Sequence, residues 1–157
     1  LMMVNDRSER VDKVEAATSI LLDAANRVGG DIVSGGGTGT FDSNTWCTEI
    51  QAGSYALMDT QYLELDLPFE CALSVLATVI SVSPKGWIVV DCGLKSLGMD
   101  HGNPSWANGK VLFCSDEHTT LSPTELADWK VGDRTRLLPA HVDPTVAKHQ
   151  QMWVVDG

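Results

Sequence analysis

His141 and Asp143 stand two residues apart in the stretch Leu137-Leu138-Pro139-Ala140-His141-Val142-Asp143-Pro144-Thr145. In an extended segment alternate side chains share a face, so the imidazole and the carboxylate can point the same way and form a two-donor chelate. A ring nitrogen and a carboxylate oxygen suit a divalent ion of borderline to hard character, Mn²⁺, Mg²⁺ or Zn²⁺, and leave coordination positions for water or substrate. Pro139 and Pro144 restrict the backbone on either side. A solvated turn after a strand would carry the same residues, so the pair gains meaning only from what accompanies it.

A second group is Ser34-Gly35-Gly36-Gly37-Thr38-Gly39-Thr40. Glycines let backbone N–H groups close around an anion, and the hydroxyls of Ser34, Thr38 and Thr40 add donors. The run lacks the Gly-Lys-Ser/Thr ending of a nucleoside-triphosphate loop and the spacing of a dinucleotide fingerprint. It is therefore either a phosphate cup of another kind or a flexible glycine hairpin. Gly53 and Ser54 offer further donors, one connection along the chain.

The elements that would position these groups fall in two regions. Val11, Val14, Thr18, Leu21, Ala25 and Val28 recur at helical spacing among charged residues, with Ser8 as expected N-cap and Gly29 as expected stop. A short buried strand is expected at Asp31–Ser34, running into the glycines, and another at either Glu49–Gln51 or Ser54–Met58. A helix followed by a strand that ends in glycines is the half-unit of an α/β sheet or barrel, where ligands collect beyond the carboxyl ends of strands. After Pro68 the pattern changes. Leu73–Val82 alternates in the β-branched manner, Ser83-Pro84-Lys85-Gly86 is a turn, and Trp87–Asp91 returns as a strand. Further strands are expected at Lys110–Ser115, Thr135–Leu138 and Gln151–Val155. A boundary near Leu65–Phe69 thus separates α/β architecture, residues 1–66, from a mostly antiparallel β domain, residues 67–157.

Composition narrows the partners. The 157 residues are 43% hydrophobic and 20% charged, enough for a buried core. Twenty-one acidic against eleven basic side chains give a net charge of -10, which argues against nucleic acid or an anionic membrane surface. No apolar run approaches the roughly 18–20 residues that span a bilayer, and no signal-peptide pattern is present. Cys47, Cys71, Cys92 and Cys114 are widely spaced and mostly in apolar surroundings, as expected of reduced thiols in a cytoplasmic protein rather than a disulfide framework. Leu1–Asn5 reads as strand-like and Met152–Gly157 as a strand entering a turn, so both ends look cut from a longer protein. His101 and His149 have no partner at ligand spacing and read as loop and solvent-facing residues. Asp91 reads as fixing a turn. His118, after Asp116 and Glu117, is either a contributor to an active site or a surface hairpin histidine.

Taken in order, the glycine run, Glu49-Ile50-Gln51-Ala52-Gly53-Ser54-Tyr55 with Met58-Asp59, Val90-Asp91-Cys92-Gly93-Leu94-Lys95-Ser96-Leu97, Asp116-Glu117-His118 and Pro139–Val146 resemble the C-terminal part of the D-threonine aldolase and D-serine dehydratase family. The resemblance spans nearly the whole chain. It implies the last part of an alanine-racemase-like (β/α)8 barrel followed by the added β domain, and a homodimer. It implies pyridoxal 5'-phosphate held by Ser34, Gly36, Gly37, Thr38, Gln51, Gly53, Ser54 and Tyr55, and a divalent metal, Mn²⁺ foremost, on His141 and Asp143. In this family aldolases tend to carry His-x-Asp at the metal position and dehydratases His-x-Cys, so Asp143 favours an aldolase cleaving β-hydroxy-D-amino acids to glycine and an aldehyde. D-serine or D-threo-3-hydroxyaspartate dehydratase activity is the alternative. The family's Schiff-base lysine lies upstream of anything in this chain, and none of its six lysines sits in a matching motif. The chain alone is therefore expected to be inactive, and a non-catalytic phosphate-ligand module stands as a reading of a different class.

Overall fold

The computed structural model describes residues 4–155. The strand-like opening expected at Leu1–Asn5 thus lies largely outside the described residues, as does the turn at its far end. Two compact units emerge, Leu1–Met58 with Tyr62–Glu70, and Asp59–Gln61 with Cys71–Gly157.

In the first unit α1 (Arg7–Val28) begins two residues earlier than the Ser8 cap implied. Asp6 is the cap, and its carboxylate accepts from Glu9 N at 2.8 Å. A carboxylate there also meets the positive end of the helix dipole. At the other end Gly29, with φ 77°, donates to Ala25 O, as a terminating glycine should. Only the first half of the expected apolar face is covered. Val14 and Thr18 are buried, while Leu21 and Ala25 are half-buried and Val28 is exposed. Arg10, which polarity would place outside, is 3% exposed. Its guanidinium donates to the carbonyls of Val4, Asn5 and Leu65, so its donors are matched by dipoles rather than by a counter-charge.

The strand expected at Asp31–Ser34 forms instead at Ser34–Gly35 (β1), and Ile32 is exposed. It pairs in parallel with β2 (Glu49–Ile50), which settles the open choice between the two segments after Cys47. Short 3-10 turns follow each strand, Thr38–Thr40 after β1 and Ser54–Ala56 after β2. The four-residue helix α2 (Thr60–Leu63) lies where the chain passes between the units.

The second unit is an antiparallel sheet in the order β5-β6-β4-β3-β7. Strand β3 (Val75–Ser83) turns at Pro84 into β4 (Trp87–Val90), where Gly86 at φ 102° closes the turn by donating to Ser83 O. Along β3 the alternation resolves into a core face, Ala77 and Val79, and an outer face, Leu76 and Ile80. Strands β5 (Gly109–Cys114) and β6 (Thr119–Pro123) form a second hairpin, of which only the first arm was expected. Strand β7 (Arg134–Leu137) pairs along β3, Val75 opposite Leu137. Ala77, Val79, Ile88, Val90, Cys92, Leu97, Trp106, Leu121 and Leu137 form the core. Full burial of Ile88 and Leu121 alone contributes on the order of 1.5–3 kcal/mol each. Trp106 spends its one polar group on Thr135 Oγ1 at 2.7 Å, inside this core. Gln151–Val155, expected as a strand, pairs with nothing among the described residues and leaves Trp153 and Val154 exposed. All four cysteines are free thiols, with Cys92 buried and the others partly so. No helix among the described residues is long and apolar enough to cross a membrane.

Candidate functional site

In the first unit, the parallel pairing of β1 and β2 sends the Gly36–Thr40 and Gly53–Tyr55 segments away from the same end of two adjacent strands. Gly36 has φ 73°, and a Cβ there would stand 2.7 Å from Asn44 Nδ2, so only glycine fits without displacing Asn44. Asn44 in turn donates to Thr40 O and Oγ1, and Gly37 N donates to Thr40 Oγ1 at 3.2 Å. Tyr55 N donates to Thr38 Oγ1 at 3.0 Å, tying the two loops together. Because Thr38 accepts that bond, its own hydroxyl proton is left for a second partner. Gln51 Nε2 donates to Ser34 Oγ, and Ser34 donates to the Glu49 carboxylate at 2.5 Å. The hydroxyl of Ser34 is thus directed at an anion already present. The space where a Gly53 Cβ would stand is open. Gly37 N, Tyr55 N and the Ser34 hydroxyl already have partners, so among these groups the Thr38 hydroxyl is the neutral donor left to a phosphate ester.

In the second unit α3 (Val142–Ala147) carries the other group. His141 and Asp143 do not lie on a continuous strand. His141 is the extended residue before α3, at φ -144° and ψ 119°, and Asp143 is in the first helical turn. A carboxylate is favourable at that end of a helix, and Pro144 is tolerated there because first-turn N–H groups have no helical acceptor. The two side chains nevertheless meet, with His141 Nε2 3.4 Å from Asp143 Oδ2.

Several buried bonds hold this corner. Val142 N donates to Asp59 Oδ2 at 3.0 Å. Thr145 Oγ1 donates to His141 O at 2.7 Å and accepts from Gly98 N at 2.9 Å. Gly98 also bridges to His141 as an isolated β-pair, and a Cβ on it would collide with Pro144. Pro139 O accepts from Thr60 N.

The sequence reading missed two members of the site. Asp100 Oδ2 lies 2.6 Å from His141 Nδ1. This hydrogen bond is the main cause holding the Asp100 carboxyl below its ordinary value. His101, expected to be a loop residue without a ligand-spaced partner, stacks on His141 with ring centroids 3.9 Å apart and planes 11° from parallel. Its Nε2 lies 3.8 Å from the same Asp100 oxygen, and its buried Nδ1 has no hydrogen-bond partner among the described residues. Asp100, His101 and His141 offer donor atoms all within 4.8 Å of one another. The adjacent Asp100-His101 in a loop was the only local signal, and it lies forty residues from its partner.

The remaining histidines fall elsewhere. His149 is exposed, with Nε2 2.9 Å from Ser96 O, and His118 is exposed in the β5–β6 hairpin. Asp91 accepts from Thr78 N at 2.6 Å, pinning the start of the loop after β4 onto β3.

A family model described as "Putative serine dehydratase domain" matches residues 72–155, the stretch that carries Asp100, His101, His141 and Asp143. The chain belongs to this family. This chain is 36% identical over 96% of its length to a 3-hydroxy-D-aspartate aldolase of Paracoccus denitrificans (strain Pd 1222), covering 42% of that protein. It is 38% identical over 96% of its length to a D-threonine aldolase of Arthrobacter sp, covering 44% of it. The crystal structure of D-threonine aldolase from Filomicrobium marinum superposes on 94% of the chain with a TM-score of 0.85 and 32% identity, again covering 44% of that chain. The chain spans less than half the length of each of these relatives.

Proposed function

We propose that this chain is the C-terminal portion of a metal-activated, pyridoxal-phosphate-dependent lyase that cleaves β-hydroxy-D-amino acids to glycine and an aldehyde. The observation that carries the reading is the opposed pair His141 Nε2 and Asp143 Oδ2 at 3.4 Å. Two donors on one divalent ion about 2.0–2.2 Å from each stand roughly 2.8–3.6 Å apart, so the pair fits a shared ion. A nitrogen and a carboxylate oxygen suit Mn²⁺ foremost, with Mg²⁺ and Zn²⁺ also accommodated. The aldolase relatives at 36% and 38% identity support the reaction class.

Residues 1–66 then form the end of an alanine-racemase-like barrel, with the cofactor phosphate on Gly36, Gly37, Thr38, Gly53 and Ser54, and Ser34, Gln51 and Tyr55 shaping the loops around it. Residues 67–157 form the metal-binding β domain. When bound, the two groups supply an electron sink at the substrate Cα and Lewis acidity at its β-hydroxyl. The protein's part is to orient the Cα–Cβ bond and hold the hydroxyl beside His141 and Asp143. As that bond breaks, its electron pair passes to Cα, the hydroxyl proton leaves to a base, the β-carbon becomes the carbonyl of the aldehyde, and Cα gains a proton to give glycine. The lysine that links the cofactor lies outside these 157 residues, so the chain alone is inactive; the intact protein is a cytoplasmic homodimer.

The family description favours a second reading, in which the β-hydroxyl departs and a keto acid and ammonia form. The test is to assay the intact protein with D-threonine and D-threo-3-hydroxyaspartate, with and without chelator. Glycine with acetaldehyde or glyoxylate, lost with chelator and restored by Mn²⁺, is expected. Keto acid and ammonia instead would assign the dehydratase, and cofactor bound without turnover would assign a binding module.

A further inference from the structure

We infer that Asp100 is the positioning residue of His141: its carboxylate accepts the hydrogen bond from Nδ1–H and so leaves the Nε2 lone pair facing Asp143. This rests on the metal reading above. A neutral imidazole carries one N–H and one lone pair, and the partner on one nitrogen decides which of the two faces an ion. At 2.6 Å Asp100 Oδ2 and His141 Nδ1 are a short, charge-assisted hydrogen bond. That separation is below what two ligands of one ion show, roughly 2.8 Å or more, so no ion sits between them. The 3.4 Å gap on the opposite side of the ring, to Asp143, is open to one.

His101 completes the arrangement. Its ring lies flat against His141, so rotation of the imidazole about its own axis is blocked on that face. Its Nε2 stands 3.8 Å from the Asp100 oxygen, beyond hydrogen-bond distance, and leaves that oxygen committed to His141. Outer partners of this kind, a carboxylate on the far nitrogen of a ligating histidine, typically change metal affinity by about 10–100-fold when removed.

The experiment uses the intact, cofactor-loaded protein and titrates Mn²⁺, reading free ion by its paramagnetic resonance signal, on the parent, Asp100→Ala, Asp100→Asn and Asp143→Ala. Thermal melting and cofactor absorbance serve as controls of fold. Asp100→Ala should weaken Mn²⁺ binding by about 10–100-fold with cofactor absorbance unchanged. Asp100→Asn, whose carbonyl oxygen can still accept from Nδ1, should lose less. Saturating Mn²⁺ should restore the turnover of both, which loss of a group acting on substrate would not allow. If Asp143→Ala weakens binding and neither Asp100 variant does, the inference is overturned and the metal reading stands. If Asp143→Ala binds Mn²⁺ like the parent while Asp100→Ala abolishes binding, the ion lies among Asp100, His101 and His141, and both fail.

Discussion

Thr145 is the buried post on which the His141 corner rests, and replacing it by valine separates its hydroxyl from its volume. The side chain is 1% exposed. Its hydroxyl gives one bond to His141 O at 2.7 Å and receives one from Gly98 N at 2.9 Å. Valine fills the same space but leaves the Gly98 N–H without an acceptor at a buried position. The lost bond to His141 O costs about 1 kcal/mol and the unpaired N–H about 1–3 kcal/mol more, so Thr145→Val should destabilise by about 2–4 kcal/mol. For a chain of this size that is a fall in melting temperature of roughly 4–16 °C. Because one bond ends on His141 O and the other on Gly98, which pairs with His141 as an isolated bridge, Mn²⁺ affinity should fall with it. Thr145→Ser keeps the hydroxyl and removes one buried methyl, at a cost of about 1 kcal/mol. Serine should therefore melt above valine. If valine melts within a degree or two of the parent, or serine is the worse of the two, the hydroxyl is not what holds the corner.

Two further predictions concern the other unit and the core. Gly36→Ala should displace Asn44 from its bonds to Thr40 and force a side chain into a left-handed backbone, lowering pyridoxal-phosphate affinity of the intact protein at least tenfold while Mn²⁺ affinity holds; equal cofactor binding would return the glycine run to a plain hairpin. Burial, with smaller contributions from Cys114 and Asp91, pushes the Cys92 thiol from 9.0 up to about 12. The unfolded chain ionises first, so this contribution to stability is complete below pH 9 and is lost progressively as pH rises from about 9 to about 12. Cys92→Ala should flatten that alkaline loss in a series of denaturant melts, and unchanged slopes would remove Cys92 as its cause.

What the sequence made legible was whatever local chemistry enforces. The Val75–Ser83 to Trp87–Val90 hairpin was readable because Pro84 and Gly86 dictate the turn and alternation dictates the face. Strand β6 was not, since Thr119-Thr120-Leu121-Ser122-Pro123 carries one large apolar residue and takes its place from pairing with both β4 and β5. The reverse error occurred at Gln151–Val155, where β-branched and aromatic residues promised a strand but propensity without a paired edge makes none. Arg10 shows a third kind of blindness. Its burial depends on three carbonyls, one of them at Leu65, that no helical periodicity can foresee.

His141 and Asp143 come together, but not through the strand geometry that their spacing implies. Period-two alternation would put His141 and Asp143 on one face of a strand; in fact the chain leaves the extended region after His141 and Asp143 belongs to α3. An N-cap residue and the second residue of a helix can both project beyond the helix end, so the same two-residue spacing brings imidazole and carboxylate together at 3.4 Å. The difference matters for who else can join. A strand would present a flat row, whereas a helix end pinned by Asp59, Gly98 and Thr145 leaves one side of the His141 ring facing the loop after Leu97, where Asp100 and His101 stand. Spacing in sequence can locate a pair of donors, but the partner that orients them arrives through the fold.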